Sequence, residues 1–421
     1  MQTNTTYYYP TLDCVRETAE RLKAVSSRTP LMYNNRASKE FQCNVLYKRE
    51  DLQIVRSYKI RGAFNKISSL SEAEKANGIV CASAGNHAQG VALSCNRLKI
   101  QGKIFMPAPT PMQKVEQVKM FGENYVEIVL EGDTFDDAYH AAIEETISQN
   151  KTFIHPFDDE KVIEGQATVG LEIVEQSQEK IDYIFVPVGG GGLSSGLSAV
   201  FKQMSPETKI IGVEPKGAPS MQKAIEANQV VRLKQIENFV DGAAVKRVGD
   251  KNFAICKEHL HDMITVDEGK ICQTILDLYN KDAIVVEPAG ALSIAALDAY
   301  KEQIVGKNVV CVVSGSNNDI TRTAEIKERA LLYANLKHYF IIKFPQRAGA
   351  LKEFVAEILG PNDDITHFEY TKKTNRENGA AVVGLELKSS TDLEPLISRM
   401  KEKKFFGDYL NNKPDLFQFL V

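Results

Sequence analysis

Ser57-Tyr58-Lys59-Ile60-Arg61-Gly62, running straight into Ala63-Phe64-Asn65-Lys66-Ile67, reads as a loop that enters a helix. Alone, those six residues read as a solvated basic turn. Three further stretches change that reading. Ser83-Ala84-Gly85-Asn86-His87 follows the short apolar run 79–82, Gly189-Gly190-Gly191-Gly192-Leu193 follows 183–188, and Ser314-Gly315-Ser316-Asn317 follows 309–313. Small-residue loops at strand ends are where an α/β sheet presents its ligand site. One of the four loops carries a lysine, whose amine can form a Schiff base with a carbonyl.

Outward from these loops, strand-like and helix-like runs alternate. Residues 44–48, 79–82, 103–106, 126–130, 153–155, 183–188, 209–214 and 309–313 read as strands. The last three are continuous apolar runs, as in strands buried on both faces. Helical segments are expected over 11–27, 86–96, 111–121, 134–149 and 160–177. This alternation predicts an α/β fold with parallel sheets and right-handed crossovers. After about residue 334 the pattern changes. Strand 338–344, helix 350–359, strand 364–370, a charged turn 372–378, strand 380–387, helix 391–401 and strand 415–421 make β-α-β-β-α-β, a ferredoxin-like α+β plan. We expect a catalytic part over 1–334, with two α/β subdomains, and a second domain over 335–421. The 421 residues suit that division, since single cores rarely grow beyond about 250–300 residues.

Composition narrows the function classes. A formal net charge of −4, with no cluster of Lys and Arg interleaved with aromatics, speaks against nucleic acid as a partner. The seven cysteines are scattered and never in a Cys-x-x-Cys pair, which fits free thiols in a reducing compartment. No apolar run approaches the roughly 18 residues needed to span a bilayer, and the first residues have neither a basic nor an apolar leader region. The expectation is a soluble, cytoplasmic protein with no membrane partner.

The loops suggest specific chemistry. Gly189 to Gly192 are four successive residues without Cβ, so their backbone N–H groups can converge on one anion. Leu193-Ser194-Ser195-Gly196 then opens a helix whose dipole favours negative charge. The four motifs together resemble the fold-type II pyridoxal-phosphate enzymes (tryptophan-synthase-β-like), and most closely the threonine dehydratases. The resemblance implies that Lys59 carries pyridoxal 5'-phosphate and acts as base at the substrate Cα. Gly189, Gly190, Gly191, Gly192 and Leu193 would hold the cofactor phosphate. Asn86 would bond its 3′-oxygen, and Ser314 would face its ring nitrogen. Ser83, Ala84, Gly85, Asn86 and His87 would form the loop that takes the substrate carboxylate, with His87 read as a structural donor rather than an acid–base group. Gly242 matches a turn close to the ring, Glu287 a residue facing it, and His155-Pro156-Phe157-Asp158 a shaping segment.

Departures from the family count as well. The family usually has phenylalanine where Tyr58 stands. Racemases of this fold carry a serine, their second acid–base group, where this chain has Ala84. Their divalent-cation site needs an aspartate shortly after a Val-Glu-Pro motif, but Glu214-Pro215 is followed here by Lys216-Gly217-Ala218-Pro219-Ser220. We therefore expect no bound divalent metal.

In the tail, Phe340 to Leu351, Asp364 to Tyr370 and Val382 to Glu386 resemble the single ACT-like regulatory domain of biosynthetic threonine dehydratases, with Ala348 where proline is common. Arg347 and Gly349 are the expected grip on an effector carboxylate, with isoleucine or valine as the effector. The resemblance implies deamination of L-threonine to 2-oxobutanoate and ammonia, with L-serine a poorer substrate, in a homo-oligomer (tetramer or dimer). A catabolic serine/threonine dehydratase or a racemase is the alternative within the fold, and an inactive amino-acid sensor the alternative from another class. Ala84 and the long tail argue against the first two. Intact Lys59, Asn86, Gly189 to Gly192 and Ser314 argue against the third.

Overall fold

The computed structural model describes residues 7–370, 378–413 and 416. The chain forms two compact units, Met1–Ile320 and Thr321–Val421.

Ten strands build the first unit: β1 Leu31–Tyr33, β2 Asn44–Arg49, β3 Ile79–Ala82, β4 Gly102–Met106, β5 Val126–Leu130, β6 Thr152–Phe153, β7 Tyr183–Pro187, β8 Lys209–Pro215, β9 Asp262–Val266 and β10 Asn308–Val313. They make two sheets, of order β1-β2-β10-β7-β8-β9 and β5-β4-β3-β6. Every pairing is parallel except that of the edge strand β1 with β2. Helices cover the sheets, and the apolar runs are buried as their composition requires: Val310, Val312, Ile184, Val186 and Ile210 share one core with Leu193, Leu197 and Phe201.

Two features fix the helix that begins at Lys59. The first is close packing. A Cβ added to Gly165 would lie 2.6 Å from the carbonyl oxygen of Arg61, so helices Lys59–Ser68 and Glu160–Gln176 cross at backbone contact. The second is charge. Arg61, expected on a solvated turn if read alone, is 1% exposed. It is held by Glu50 at 2.8 Å and Glu172 at 2.7 Å, while the fully buried Lys48 binds Glu172 at 2.5 Å. Two cations and two carboxylates thus balance inside the fold.

The second unit has strands β11 Lys337–Pro345, β12 Asp364–Tyr370, β13 Asn378–Glu386 and β14 Phe406–Tyr409. Their antiparallel order is β12-β13-β11-β14, the ferredoxin-like arrangement. Helix Ala350–Glu353, continued as a π-turn over Phe354–Ile358, and helix Leu393–Glu402 contribute Phe354, Leu396 and Met400 to its core.

The described elements differ from the expected ones in three places. The fourth described strand of the tail's sheet is Phe406–Tyr409, which the sequence reading did not mark; the expected strand was 415–421. Of that later run only Leu416 belongs to the described residues, and the expected charged turn 372–378 lies outside them except for Asn378, which opens β13. An edge strand pairs on one side only, so Gly407 and Asp408 are tolerated in β14 and no apolar run marks it. Strands β1 and β9 also lie outside the expected set. Finally, the chain divides after Ile320, upstream of 334. Helix Thr323–Tyr333 belongs to the second unit because its Ile326 and Ala330 are buried, and its Lys327 and Glu328 pair with Glu386 and Tyr339.

Candidate active site

Backbone pairing zips the lysine loop to the loop after β10. Ser57 and Gly315 form an isolated bridge, Tyr58 N–H donates to the Ser314 carbonyl at 3.2 Å, and Ser316 N–H donates to Arg56 at 2.9 Å. This places Lys59 at the head of its helix beside Ser314. The Lys59 amine donates to the Pro156 carbonyl at 2.8 Å. Burial lowers its pKa to about 8, although Glu287 pulls the other way. About a tenth of such amines are neutral at pH 7, against roughly one in three thousand for an ordinary lysine. A neutral amine is the form that attacks a carbonyl and accepts a proton.

The glycine loop leaves its donors unspent. Val188 N–H donates to Val213, and Ser195 N–H to Gly191. Between them, among the described residues, no chain acceptor takes the amides of Gly189, Gly190, Gly191, Gly192 or Leu193. Gly191 has φ +93, a conformation that favours glycine. A Cβ on Gly190 would lie 2.2 Å from the Phe157 ring, so no side chain fits there. Asn252, fully buried, clamps the loop from behind by donating to the Gly190 and Phe157 carbonyls at 2.9 and 3.0 Å. Five free amides at the start of helix Gly192–Met204 form an anion cradle. Together with the Lys59 amine they fit pyridoxal phosphate, whose aldehyde and dianionic phosphate need those two partners.

The loop after β3 supplies a second set of free donors. Ser83 N–H is used by Phe105, and Gly85 N–H by Ser83 Oγ. The amides of Ala84, Asn86 and His87 have no chain acceptor among the described residues, and helix Asn86–Leu98 starts there. That suits a carboxylate. His87 is buried, its Nε2 donates to the Ile154 carbonyl at 2.9 Å, and burial pushes its pKa down to about 3. In this geometry it is a neutral donor to a backbone carbonyl. His155 is likewise neutral, pushed down to about 4 by burial, and its Nδ1 accepts from Phe157 and Asp158 amides at 3.2 and 2.8 Å.

Ser314 is buried, and its hydroxyl donates to the Ala289 carbonyl at 3.2 Å. Glu287 is buried beside it. Its carboxyl accepts from Asn86 Nδ2 at 2.7 Å, and burial, with Asp241 adding, pushes its pKa up to about 7. Gly242 passes so close that a Cβ would sit 3.3 Å from Glu287 Oε1. Sequence reasoning missed Asn252 and gave Asn317 no role. Nothing in the local pattern marks Asn252, whereas Asn317 stood inside a quoted loop. Glu214 is engaged elsewhere in the first unit. Its buried carboxylate caps helix Ser220–Glu226 by accepting from Met221 and Gln222 amides at 2.6 and 2.9 Å. In the second unit Arg347 is exposed and pairs with Glu353, one turn beyond Gly349, whose φ is +84.

Comparison with known proteins agrees with this geometry. Residues 23–315 match the family model for pyridoxal-phosphate dependent enzymes, and residues 328–420 match the C-terminal regulatory domain of threonine dehydratase. The chain is 56% identical over 402 residues to the L-threonine dehydratase biosynthetic IlvA of Halalkalibacterium halodurans, covering 96% of this chain and 97% of that one. It is 55% identical over 402 residues to the protein of the same description from Bacillus subtilis, covering 96% and 95%. Among solved structures, the processed form of threonine deaminase isoform 2 from Solanum lycopersicum matches with a TM-score of 0.72 at 39% identity, over 77% of this chain and 97% of that one. Maize serine racemase matches with a TM-score of 0.71 at 30% identity, over 77% and 99%. A lysine with a lowered pKa, two free-amide loops and a ferredoxin-like tail thus come together in a chain that belongs to the pyridoxal-phosphate dependent biosynthetic threonine dehydratases.

Proposed function

We propose that this enzyme deaminates L-threonine to 2-oxobutanoate and ammonia by α,β-elimination; the relatives from Halalkalibacterium halodurans and Bacillus subtilis are described as biosynthetic L-threonine dehydratases. The observation that carries the reading is the Lys59 amine, its pKa lowered to about 8 by burial, set among loops with free amides. Pyridoxal phosphate would be held through Lys59 and the amides of Gly189 to Leu193, and would supply an electron sink for the pair left when the Cα–H bond breaks. Lys59 takes that proton. The amides of the Ser83–His87 loop hold the α-carboxylate, which aligns the Cα–H bond with the base. Loss of the β-hydroxyl as water gives an enamine, which tautomerises and is hydrolysed to the oxoacid and ammonia. With the cofactor bound, the Ser314 hydroxyl would turn from the Ala289 carbonyl to donate to the ring nitrogen, a neutral partner rather than a carboxylate. The nitrogen is then not held protonated, and prompt elimination is favoured over a long-lived carbanion. L-Serine, giving pyruvate, is the expected poorer substrate.

The second unit is proposed to bind isoleucine, with valine competing, at the turn bearing Arg347 and Gly349. The Arg347–Glu353 pair would have to open for a carboxylate to enter. Inhibition requires isoleucine to favour the less active arrangement, with a coupling of about 1–3 kcal/mol. A homo-oligomer in the cytoplasm is the proposed setting. Among the described residues no helix is long and apolar enough to cross a membrane. The test is oxoacid formation from threonine and from serine, with and without isoleucine. Threonine should be turned over faster, and isoleucine should shift its saturation curve. No oxoacid from threonine would overturn the reading, and indifference to isoleucine would make the tail structural.

A further inference from the structure

The side chain of Asn86 ends in an amide with an acceptor oxygen and a two-donor nitrogen of nearly equal shape. A half-turn would invert what it offers a ligand with little change in packing. A chain of hydrogen bonds anchored on a backbone carbonyl opposes that half-turn. The Val55 carbonyl can only accept, and it takes one hydrogen of Asn317 Nδ2 at 2.9 Å. The other hydrogen of that nitrogen goes to Asn86 Oδ1 at 2.6 Å. At its opposite end Asn86 Nδ2 donates to Glu287 Oε1 at 2.7 Å. Glu287 Oε2 accepts the backbone N–H of Asn317 at 3.2 Å, which closes the ring of contacts. One hydrogen of the Asn86 amide has no acceptor among the described residues. Val55 precedes the lysine loop, Asn317 ends the Ser314 loop and Glu287 leads into helix Pro288–Ala295, whereas Asn86 comes from the loop after β3.

We propose that Asn317 and Glu287 are positioning residues that keep the nitrogen of the Asn86 amide, not its oxygen, turned toward Glu287 and the cofactor. The inference rests on the reading of Asn86 as the donor to the cofactor's 3′-oxygen. That oxygen accepts, so an inverted amide would set two acceptors against each other.

The experiment compares holoenzyme variants by the cofactor's visible absorbance band and by steady-state kinetics. In Asn317→Asp a carboxylate can give nothing to the Val55 carbonyl or to Asn86 Oδ1, so Asn86 turns over to donate to it. The band should move as it does in Asn86→Ala. The turnover number should fall about tenfold to a hundredfold, with KM changed less than about threefold. The double variant Asn86→Ala/Asn317→Asp should be no worse than Asn86→Ala alone, because Asn317 acts through Asn86. Glu287→Gln, which keeps an acceptor, should displace the band less than Glu287→Leu, and equal displacement would remove Glu287 from the proposal. Additive losses in the double variant, or an unmoved band in Asn317→Asp, would overturn the role of Asn317 while leaving Asn86 as a cofactor ligand. An unmoved band in Asn86→Ala would overturn the underlying reading itself. If Asn317→Asp yields no folded protein, Asn317→Ala frees the amide to adopt either orientation and is judged by the same criteria with a smaller displacement.

Discussion

Arg61→Met should unfold the catalytic unit several degrees early, with a deficit that depends on pH. The guanidinium bonds Glu50 twice, both at 2.8 Å, and Glu172 at 2.7 and 3.0 Å. It also reaches Thr168 Oγ1 at 3.1 Å and the Ser27 carbonyl at 3.3 Å. Methionine fills similar space but leaves the buried Glu50 and the part-buried Glu172 carboxylates with Lys48 as their remaining cation. Removing one side of a buried pair costs about 3–5 kcal/mol. The unit spans Met1–Ile320, and an unfolding entropy of about 2.1 cal/mol/K per residue converts that cost into a fall of roughly 5–7 °C. The pH dependence follows from Glu50. Burial would raise its pKa, but Arg61 and Lys48 more than offset this and hold it below the ordinary carboxylate value. The ionised form therefore contributes stability above the unfolded pKa, and that contribution is lost as the pH falls. Without Arg61 burial is less opposed and Glu50 is more readily protonated, so the gap between variant and parent should narrow on acidification. Thermal unfolding followed by circular dichroism at pH 7.5 and pH 5 measures both effects. A midpoint within about 2 °C of the parent, or a gap that does not change with pH, would refute the reasoning.

Three further outcomes follow from the same geometry. Ala84 has no proton to give, so L-serine should yield no D-serine above the pyruvate level on chiral chromatography, and Ala84→Ser should gain some; ready racemisation by the parent would mean that another acid faces Cα. Burial pushes Glu214 up to about 8; a raised folded pKa contributes stability that is complete below the unfolded pKa and lost as the pH rises through about 8. Glu214→Gln should therefore flatten the decline in urea-unfolding free energy between pH 5 and pH 8 by up to roughly 3–5 kcal/mol, and parallel pH profiles would contradict it. A chain ending at Ile320 should turn over threonine and ignore isoleucine, whereas one ending at residue 334 keeps helix Thr323–Tyr333 without β11, exposes Ile326 and Ala330, and should aggregate; retained inhibition of the shorter chain would place the effector site elsewhere.

Features set by local backbone were legible in the sequence. Four glycines after an apolar strand read as a loop open to close approach, and the lysine at the head of Lys-Ile-Arg-Gly opens a helix as read. The strand–helix alternation likewise predicted parallel sheets, because strands buried on both faces are apolar throughout. Roles set by partners distant in sequence were not legible. Arg61 looks solvated in its own segment and becomes a core residue only through Glu50, Glu172 and the crossing helix. Asn317 and Asn252 depend on carbonyls from other loops, which no local spacing encodes. Edges were misread for a different reason. Strand β1 has three residues, and β14 mixes Phe406 with Gly407 and Asp408, so neither carries the apolar signal of an inner strand.

The central claim, that Lys59 carries the cofactor, is tested most directly by trapping. Borohydride reduction of the holoenzyme fixes the cofactor to the amine that holds it, and proteolysis with mass spectrometry then identifies the residue. The account predicts a single tagged peptide containing Lys59, and a Lys59→Ala protein that keeps its fold but has neither tag nor turnover. A tag on another lysine, or turnover within about tenfold of the parent in Lys59→Ala, a barrier change of only about 1.4 kcal/mol, would contradict it.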